Sequence, residues 1–344
     1  MIRSTIVAIK NFSLQFMFAA FLTNLAHVPA FAKDLPIRKF RRLKVDPHQV
    51  TISGLSSGAF MAVQLDVAYS SMFKGAAIFA GGIYGCAEGS VSQALDTCMA
   101  HPESLVVPHF LSLARAAEKA GAIDSLTQLN SQKVYLFSGT NDQTVLPAAA
   151  EKLRKFYETF VSPEGIVSKT DLPSGHGMPT QNYGAQCQDT TSPWILNCSY
   201  DGAGAALEHL MGPLQAPVEA ISSHLYSFDQ TSLVTPNSSM QTKGYVYVPD
   251  ACFGSKQPCP LHVALHGCRQ GAEFIGNTFY THAGYNEWAE ANQFVVLYPD
   301  LESTFLSNPK GCWDWWGYTG ANYSTRSGAH MLSIVNIIKA AEGQ

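Results

Sequence analysis

The sequence predicts an α/β fold with a mostly parallel sheet and helices on both of its faces. Short apolar strands alternate along the chain with helical stretches, which is the pattern of such a sheet. No internal repeat and no low-complexity linker interrupts this alternation. Because residues 33–344 are numerous enough to bury one large core, we expect them to form a single domain.

The predicted elements follow one another in a regular order. Strands, some running into loops, are predicted at 49–54, 74–82, 133–142, 165–177, 244–249, 260–268 and 293–300. Helices are predicted at 58–70, 151–160 and 328–343. The segment from about 180 to 240 is polar and predicts an excursion between strands of the sheet.

Residues 1–32 are typical of a secretory signal peptide. A basic segment without acids precedes an apolar stretch, and VPAFA ends in the small-x-small pattern that predicts cleavage after Ala32. A membrane anchor is the alternative, but Asn24 and His27 interrupt an apolar run that is short for a bilayer. We therefore expect a secreted or periplasmic protein without stable membrane insertion.

The composition argues against a nucleic-acid partner. The formal net charge is −4, and no basic patch stands out beyond residues 38–44. Charged residues make up 14% of the chain and aromatic residues 11%, a balance that suits an enzyme acting on a weakly polar substrate.

The cysteines predict disulfides rather than a metal site. An even number of cysteines in an exported chain is typical of disulfide bonding, and no C-x-x-C pair indicates zinc or another metal. Local spacing favours three short bridges and leaves one long bridge, although other pairings stay open. The favoured pairs are Cys86–Cys98, Cys187–Cys198, Cys252–Cys259 and Cys268–Cys312.

The segment GLSSG, residues 54–58, matches G-x-S-x-G, the turn that exposes the nucleophilic serine of α/β-hydrolases. A serine nucleophile needs a base and an acid that orients the base. Asp142 and His176 follow later strands in the expected order of serine, acid and histidine. Alone, each has an ordinary explanation: a chance match, a turn aspartate or a loop histidine. Together, in this order, they predict a catalytic triad with Ser56 as nucleophile.

The position of the oxyanion loop predicts that the fold is circularly permuted. In α/β-hydrolases an H-G loop after an early strand donates one N–H to the oxyanion, and the residue after the serine donates another. Here the candidate loop, His266-Gly267-Cys268, follows a strand in the last third of the chain. The second half of the fold therefore comes first along the chain. We predict a circularly permuted α/β-hydrolase.

Five motifs resemble those of extracellular poly(3-hydroxybutyrate) depolymerases with the permuted, second type of catalytic domain. They are GLSSG, GTNDQTV, SGHGMP, LHGC and GCWDWWGY. The resemblance implies that Ser56 is the nucleophile, His176 the base and Asp142 its orienting acid. It implies that the backbone N–H groups of Ser57 and Cys268 form the oxyanion hole. It further implies an esterase of short-chain polyhydroxyalkanoates and their oligomers that uses no cofactor, and we expect the protein to be a monomer.

The tryptophans of CWDWWGY are candidate substrate-binding residues. Flat indole rings can bury the methyl and methylene groups of a polyester chain. We therefore predict that at least one of Trp313, Trp315 and Trp316 lines the cleft, and the alternative is that they fill the core. Family members that attack crystalline polymer usually carry a further surface-binding domain after the catalytic part. This sequence predicts no such domain, so we expect action on amorphous polymer or soluble oligomers.

Two other functions stay open. One is an esterase of feruloyl or acetyl-xylan esters, which would use the same sheet and triad. The other is an exported binding protein that has kept the fold but is catalytically silent. The complete set of Ser56, Asp142 and His176 favours an enzyme, because a binding protein needs none of them.

Overall fold

The computed structural model describes residues 32–236, 238–254 and 257–344. The expected signal peptide, residues 1–32, therefore lies outside the described residues except for Ala32. The strands are β1 (Lys33–Asp34), β2 (Val50–Leu55), β3 (Phe73–Phe79), β4 (Lys133–Phe137), β5 (Ile166–Lys169), β6 (Met178–Thr180), β7 (Ala185–Gln186), β8 (Ile195–Asn197), β9 (Leu225–Asp229), β10 (Lys243–Tyr247), β11 (Leu261–Leu265) and β12 (Val295–Tyr298).

Helices connect most of these strands. They are α1 (Ile37–Phe40), α2 (Ser57–Ala68), α3 (Val91–Gln93), α4 (Val107–Lys119), α5 (Ala148–Tyr157), α6 (Gly202–Met211), α7 (Ala272–Ile275), α8 (Thr278–His282), α9 (Tyr285–Asn292) and α10 (Ala329–Glu342). A π-helical segment, Ala94–Ala100, continues α3.

The strands form a nine-stranded sheet and a small three-stranded sheet. The order in the large sheet is β1-β9-β10-β12-β11-β2-β3-β4-β5. Every neighbouring pair is parallel except those of β10, which runs antiparallel to β9 and β12. The small sheet, β6-β8-β7, is parallel. The predicted mostly parallel α/β fold is confirmed.

The central parallel strands of the sheet are buried on both faces. Every residue of β2, β11 and β12 is buried, as expected for strands that are covered on both faces by helices. The helix α2 is also buried along its whole length. The described part of Ala32–Gln344 packs as one compact unit. No helix among the described residues is long and apolar enough to cross a bilayer.

The permutation is visible where the last helix ends. The N–H of Val45 donates to the carbonyl oxygen of Ala341 at 3.2 Å, and the guanidinium of Arg41 donates to that of Gln344 at 3.1 Å. The carboxyl end of α10 therefore lies beside the segment that enters β2. At the other end of β2, Gly54 pairs with Leu265 of β11. The loops that follow these two parallel strands consequently emerge side by side, although they are far apart in sequence.

All four favoured disulfides are present. Cys86–Cys98, Cys187–Cys198 and Cys252–Cys259 close short loops, and Cys268–Cys312 joins residues 44 positions apart. The long bridge ties the loop after β11 to the segment that contains the tryptophans.

The prediction of an excursion between 180 and 240 is wrong for part of that segment. Leu225–Asp229 forms β9, which belongs to the large sheet and pairs with β1 and β10. The segment also contains α6, which begins after Asp201, whose carboxylate accepts the N–H of Gly204 at 2.8 Å. The short strand β9 was missed because the whole segment is rich in polar residues and because β1, one of its partners, is distant in sequence.

Candidate active site

Ser56 lies in the turn between β2 and α2. Its backbone has φ 56° and ψ −120°, a conformation that costs free energy in residues other than glycine. The flanking glycines permit this turn. A Cβ on Gly54 would lie 2.1 Å from the carbonyl oxygen of Gly58, and a Cβ on Gly58 would lie 2.5 Å from that of His266. This is the strained strand-to-helix geometry that presents a nucleophilic serine.

Asp142 and His176 form a buried pair. Asp142 follows β4, His176 lies in the loop between β5 and β6, and the distance from His176 Nδ1 to Asp142 Oδ2 is 2.8 Å. The other carboxylate oxygen, Oδ1, accepts the N–H groups of Thr144 at 2.8 Å and Val145 at 2.9 Å. Asp142 has no exposed surface. The carboxylate is therefore held in one orientation and accepts the Nδ1 proton of the imidazole.

The second imidazole nitrogen remains available for chemistry. With the proton on Nδ1, the Nε2 atom is an acceptor, and it has no hydrogen-bond partner among the described residues. The N–H of His176 donates to Thr190 Oγ1 at 2.9 Å, which holds the loop in place. Ser56 and His176 line the same pocket. A base and a hydroxyl group thus face one cavity.

The loop after β11 reaches the serine. A Cβ on Gly267 would lie 3.3 Å from the Cβ of Ser56. In the described part of the chain, the N–H groups of Ser57 and Cys268 find no acceptor, and both residues line the pocket that contains Ser56. Ser57 is the first residue of α2, where an N–H has no partner within the helix. Two free donors near the hydroxyl group are what an oxyanion requires.

Gln270 joins this loop to the loop that precedes β8. Its Oε1 accepts the N–H of Gly267 at 2.7 Å. Its Nε2 donates to the carbonyl oxygens of Pro193 and Trp194, each at 3.0 Å. Gln270 has no exposed surface. Since Thr190, in the same loop, holds His176, this one side chain links the candidate oxyanion donors to the candidate base.

The three tryptophans that are candidate substrate-binding residues differ in position. Trp313 has no exposed surface, does not line the pocket, and packs with its ring centroid 5.4 Å from that of His266. Trp315 and Trp316 do line the pocket, and Trp315 stacks on Phe60 at 3.9 Å. Trp313 is therefore a core residue, whereas Trp315 and Trp316 contribute to the pocket wall.

One carboxylate holds the tryptophan loop in shape. Asp314 Oδ1 accepts the N–H groups of Trp316 (3.2 Å), Gly317 (2.7 Å) and Tyr318 (3.1 Å). Its Oδ2 accepts the N–H of Thr319 at 2.8 Å and the hydroxyl of the same residue at 2.6 Å. Asp314 is fully buried, and donors of this number stabilise its charge. The loop that presents the indoles is therefore preorganised.

The pocket has a volume of about 420 Å³. Its wall is mostly apolar, and the residues that make it so include Phe60, Val91, Leu95, Met99 and Leu306. The charged side chains of the wall are those of Arg269 and Lys310. A largely apolar cavity with a few polar groups is typical of a site for a small or chain-like organic ligand.

Behind the serine, Asp66 is a buried acid that the sequence did not single out. It lies on α2, has no exposed surface, and accepts the hydroxyl of Tyr157 at 2.8 Å. Burial raises the pKa of Asp66 to about 7, and the hydrogen bond from Tyr157 opposes this rise. Its other carboxylate oxygen has no partner among the described residues. Asp66 does not line the pocket, so we expect its titration to change the stability of the protein.

Three supporting residues of the site were not predicted from sequence. Gln270 lies two positions after His266-Gly267-Cys268, and Asp314 lies between two tryptophans. A polar residue inside or next to an apolar motif is a weak signal of a buried hydrogen bond. Thr190 carries no such signal, because its role depends on a contact with a loop that lies elsewhere in the chain.

Comparisons with known proteins identify relatives. Residues 244–344 match the family described as Esterase PHB depolymerase. The chain is 44% identical over 296 residues to a poly(3-hydroxybutyrate) depolymerase of Delftia acidovorans, covering 85% of this chain and 59% of that protein. It is 38% identical over 312 residues to a polyhydroxybutyrate depolymerase of Talaromyces funiculosus, covering 86% of this chain and 90% of that protein. The chain thus spans less than two thirds of the Delftia protein.

Two solved structures of PHB depolymerases superpose on this chain. The crystal structure of PHB depolymerase from Penicillium funiculosum superposes with a TM-score of 0.80 at 37% identity, covering 87% of this chain and 98% of that one. A PHB depolymerase variant complexed with R3HB trimer superposes with a TM-score of 0.82 at 36% identity and the same coverage. Identity and coverage of this extent place the chain in one family with these proteins: it belongs to the polyhydroxybutyrate depolymerases.

Proposed function

We propose that this protein is a serine esterase that hydrolyses the ester bonds of poly(3-hydroxybutyrate), related short-chain polyhydroxyalkanoates and their oligomers. The observation that carries the proposal is the buried pair of Asp142 and His176, 2.8 Å apart, in the pocket that Ser56 also lines. Family membership supports the same substrate class.

In the first half of the reaction, Ser56 Oγ attacks the carbonyl carbon of the ester. His176 Nε2 takes the hydroxyl proton, and Asp142 stabilises the imidazolium that forms. The N–H groups of Ser57 and Cys268 bind the negatively charged oxygen of the tetrahedral intermediate. When the ester C–O bond breaks, the imidazolium gives its proton to the departing alcohol. The acyl group is left on Ser56.

In the second half, water replaces the alcohol. His176 Nε2 takes a proton from the water, which attacks the acyl carbon. The same two N–H groups bind the second oxyanion. When this intermediate collapses, the bond between the acyl carbon and Ser56 Oγ breaks, the imidazolium returns its proton to Oγ, and a carboxylic acid is released. All the groups in this scheme are side chains or backbone of this chain together with water.

The surroundings of the site favour a weakly polar chain as substrate. Trp315, Trp316 and the apolar wall can bury the methyl and methylene groups of a polyester, which have no hydrogen-bonding requirement. We further propose a single catalytic domain, residues 33–344, that acts as a monomer, because every group in the scheme comes from one chain. Four disulfides support export to an oxidising compartment, outside the cell or in a periplasm.

The test is clearing of an amorphous poly(3-hydroxybutyrate) suspension, with analysis of the products. The wild-type protein should release 3-hydroxybutyrate and its short oligomers. Ser56→Ala and Asp142→Asn should lower the rate by about 10⁴–10⁶-fold and at least 10³-fold respectively, since each disables the triad. Their unfolding midpoints, measured in parallel, show whether the fold is intact.

Two outcomes would contradict the proposal. Release of ferulate or acetate from xylan esters, with no hydrolysis of hydroxybutyrate oligomers, would mean that the esterase has another substrate. Failure of a fluorophosphonate probe to label Ser56 in the folded wild-type protein would mean that the site is catalytically silent, as in a binding protein.

A further inference from the structure

The pocket wall carries positive charge and no negative charge. Arg269 and Lys310 line it, and no Asp or Glu does so among the described residues. Both side chains are exposed, and neither has a carboxylate partner in the described part of the chain. The chain as a whole is acidic, with a net charge of −4. Two unpaired cations at the entrance to the site therefore differ from the average surface.

The backbone holds these two residues side by side. The N–H of Arg269 donates to the carbonyl oxygen of Lys310 at 2.7 Å. The bridge between Cys268 and Cys312, whose Cα atoms are 4.3 Å apart, joins the same two segments. Arg269 has a φ of 61°, a conformation that favours glycine and costs free energy for arginine. A large cationic side chain is thus held next to the candidate oxyanion donor despite this cost.

The substrate class offers one charged group for these cations. A 3-hydroxyalkanoate ester chain is neutral along its length and ionised only at its terminal carboxyl group, since such carboxyls have a pKa near 4. In a short oligomer this carboxylate belongs to the departing alcohol and lies a few bonds from the scissile ester. An arginine guanidinium binds a carboxylate through two parallel hydrogen bonds, and a neighbouring lysine adds a second positive charge.

We propose that Arg269 and Lys310 form a subsite for the terminal carboxylate of short oligoesters. This inference rests on the proposed function and adds a preference within it. Free-acid oligomers are cut in preference to oligomers of equal length whose carboxyl group is esterified. The preference is electrostatic, so salt weakens it.

The experiment compares two substrates, the 3-hydroxybutyrate trimer as the free acid and as its methyl ester, near pH 8. The measured quantity is the ratio of kcat/KM for the acid to kcat/KM for the methyl ester. We expect this ratio to fall about two- to fivefold in Arg269→Gln and in Lys310→Gln, and about tenfold in the double variant, as for exposed ion pairs. About 0.5 M NaCl should lower the wild-type ratio toward that of the double variant.

Lys119→Gln is the matched control. Lys119 is an exposed cation at the end of α4 and does not line the pocket, so the same change of net charge should leave the ratio at its wild-type value. An unchanged ratio in the double variant overturns the proposal. Equal losses on both substrates also overturn it, because they would mean that the two residues act on the oxyanion loop instead. Wild-type protein that cleaves neither substrate would refute the proposed function itself.

Discussion

Replacing Asp66 by asparagine should make the stability of the protein less dependent on pH. Asp66 is fully buried on α2, and burial raises its pKa from 3.8 to about 7. Asparagine has nearly the same shape, stays neutral at every pH, and can still accept the hydroxyl of Tyr157, which donates to Asp66 at 2.8 Å. The substitution therefore removes the titration with little change in packing.

The size of the effect follows from the two pKa values. Between about pH 4 and pH 7 the folded protein keeps a proton on Asp66 that the unfolded chain releases, so the free energy of unfolding falls as pH rises through this range. One pKa unit corresponds to about 1.4 kcal/mol. Because burial raises the pKa to about 7, this one group makes the free energy of unfolding about 4 kcal/mol lower at pH 8 than below pH 4.

The assay is urea unfolding of wild-type protein and Asp66→Asn, with disulfides intact, from pH 4 to pH 8. The quantity to compare is the difference between the two curves, because His262 makes the stability of both proteins depend on pH. Burial lowers the pKa of His262 to about 3. That imidazole stays neutral in the fold, so its contribution runs in the opposite direction and is lost as pH falls below about 6.5. Asparagine should gain stability relative to wild type as pH rises. Asp96→Asn at an exposed position is the control for the change of charge. A difference between wild type and Asp66→Asn that stays constant from pH 4 to pH 8 would refute the reasoning.

Two further predictions concern the loop after β11. Gln270→Met removes the acceptor 2.7 Å from the N–H of Gly267 and leaves that donor unpaired, so kcat on a p-nitrophenyl ester should fall about 10- to 100-fold while KM changes little; a change in KM alone would speak against a positioning role. Cys312→Ser opens a loop of 44 positions and should lower the free energy of unfolding by about 4 kcal/mol in chemical denaturation. The same variant should lose more activity on polymer than on the p-nitrophenyl ester, because only the polymer needs the surface that Trp316 provides, and equal losses would contradict this.

Local signals were sufficient for much of the fold and of the site. The strands predicted at 49–54 and 260–268 coincide with Val50–Leu55 and Leu261–Leu265, because short stretches rich in aliphatic residues are typical of buried strands. The disulfides followed from spacing, since short loops bring cysteines together. Leu225–Asp229 was missed, because five residues in a polar region carry little signal and the strand depends on distant partners.

The sequence by itself determined which catalytic groups the site contains and the permuted order of the strands along the chain. G-x-S-x-G, an aspartate and a histidine after successive strands, and H-G-C after a late strand are all local patterns. The tertiary structure alone decided which side chains meet. Trp313 and Trp316 lie three positions apart in one motif, yet one is buried in the core and the other lines the pocket. Gln270, Thr190 and Arg269 gain their roles from contacts between loops, and such contacts depend on packing distances that no single segment encodes.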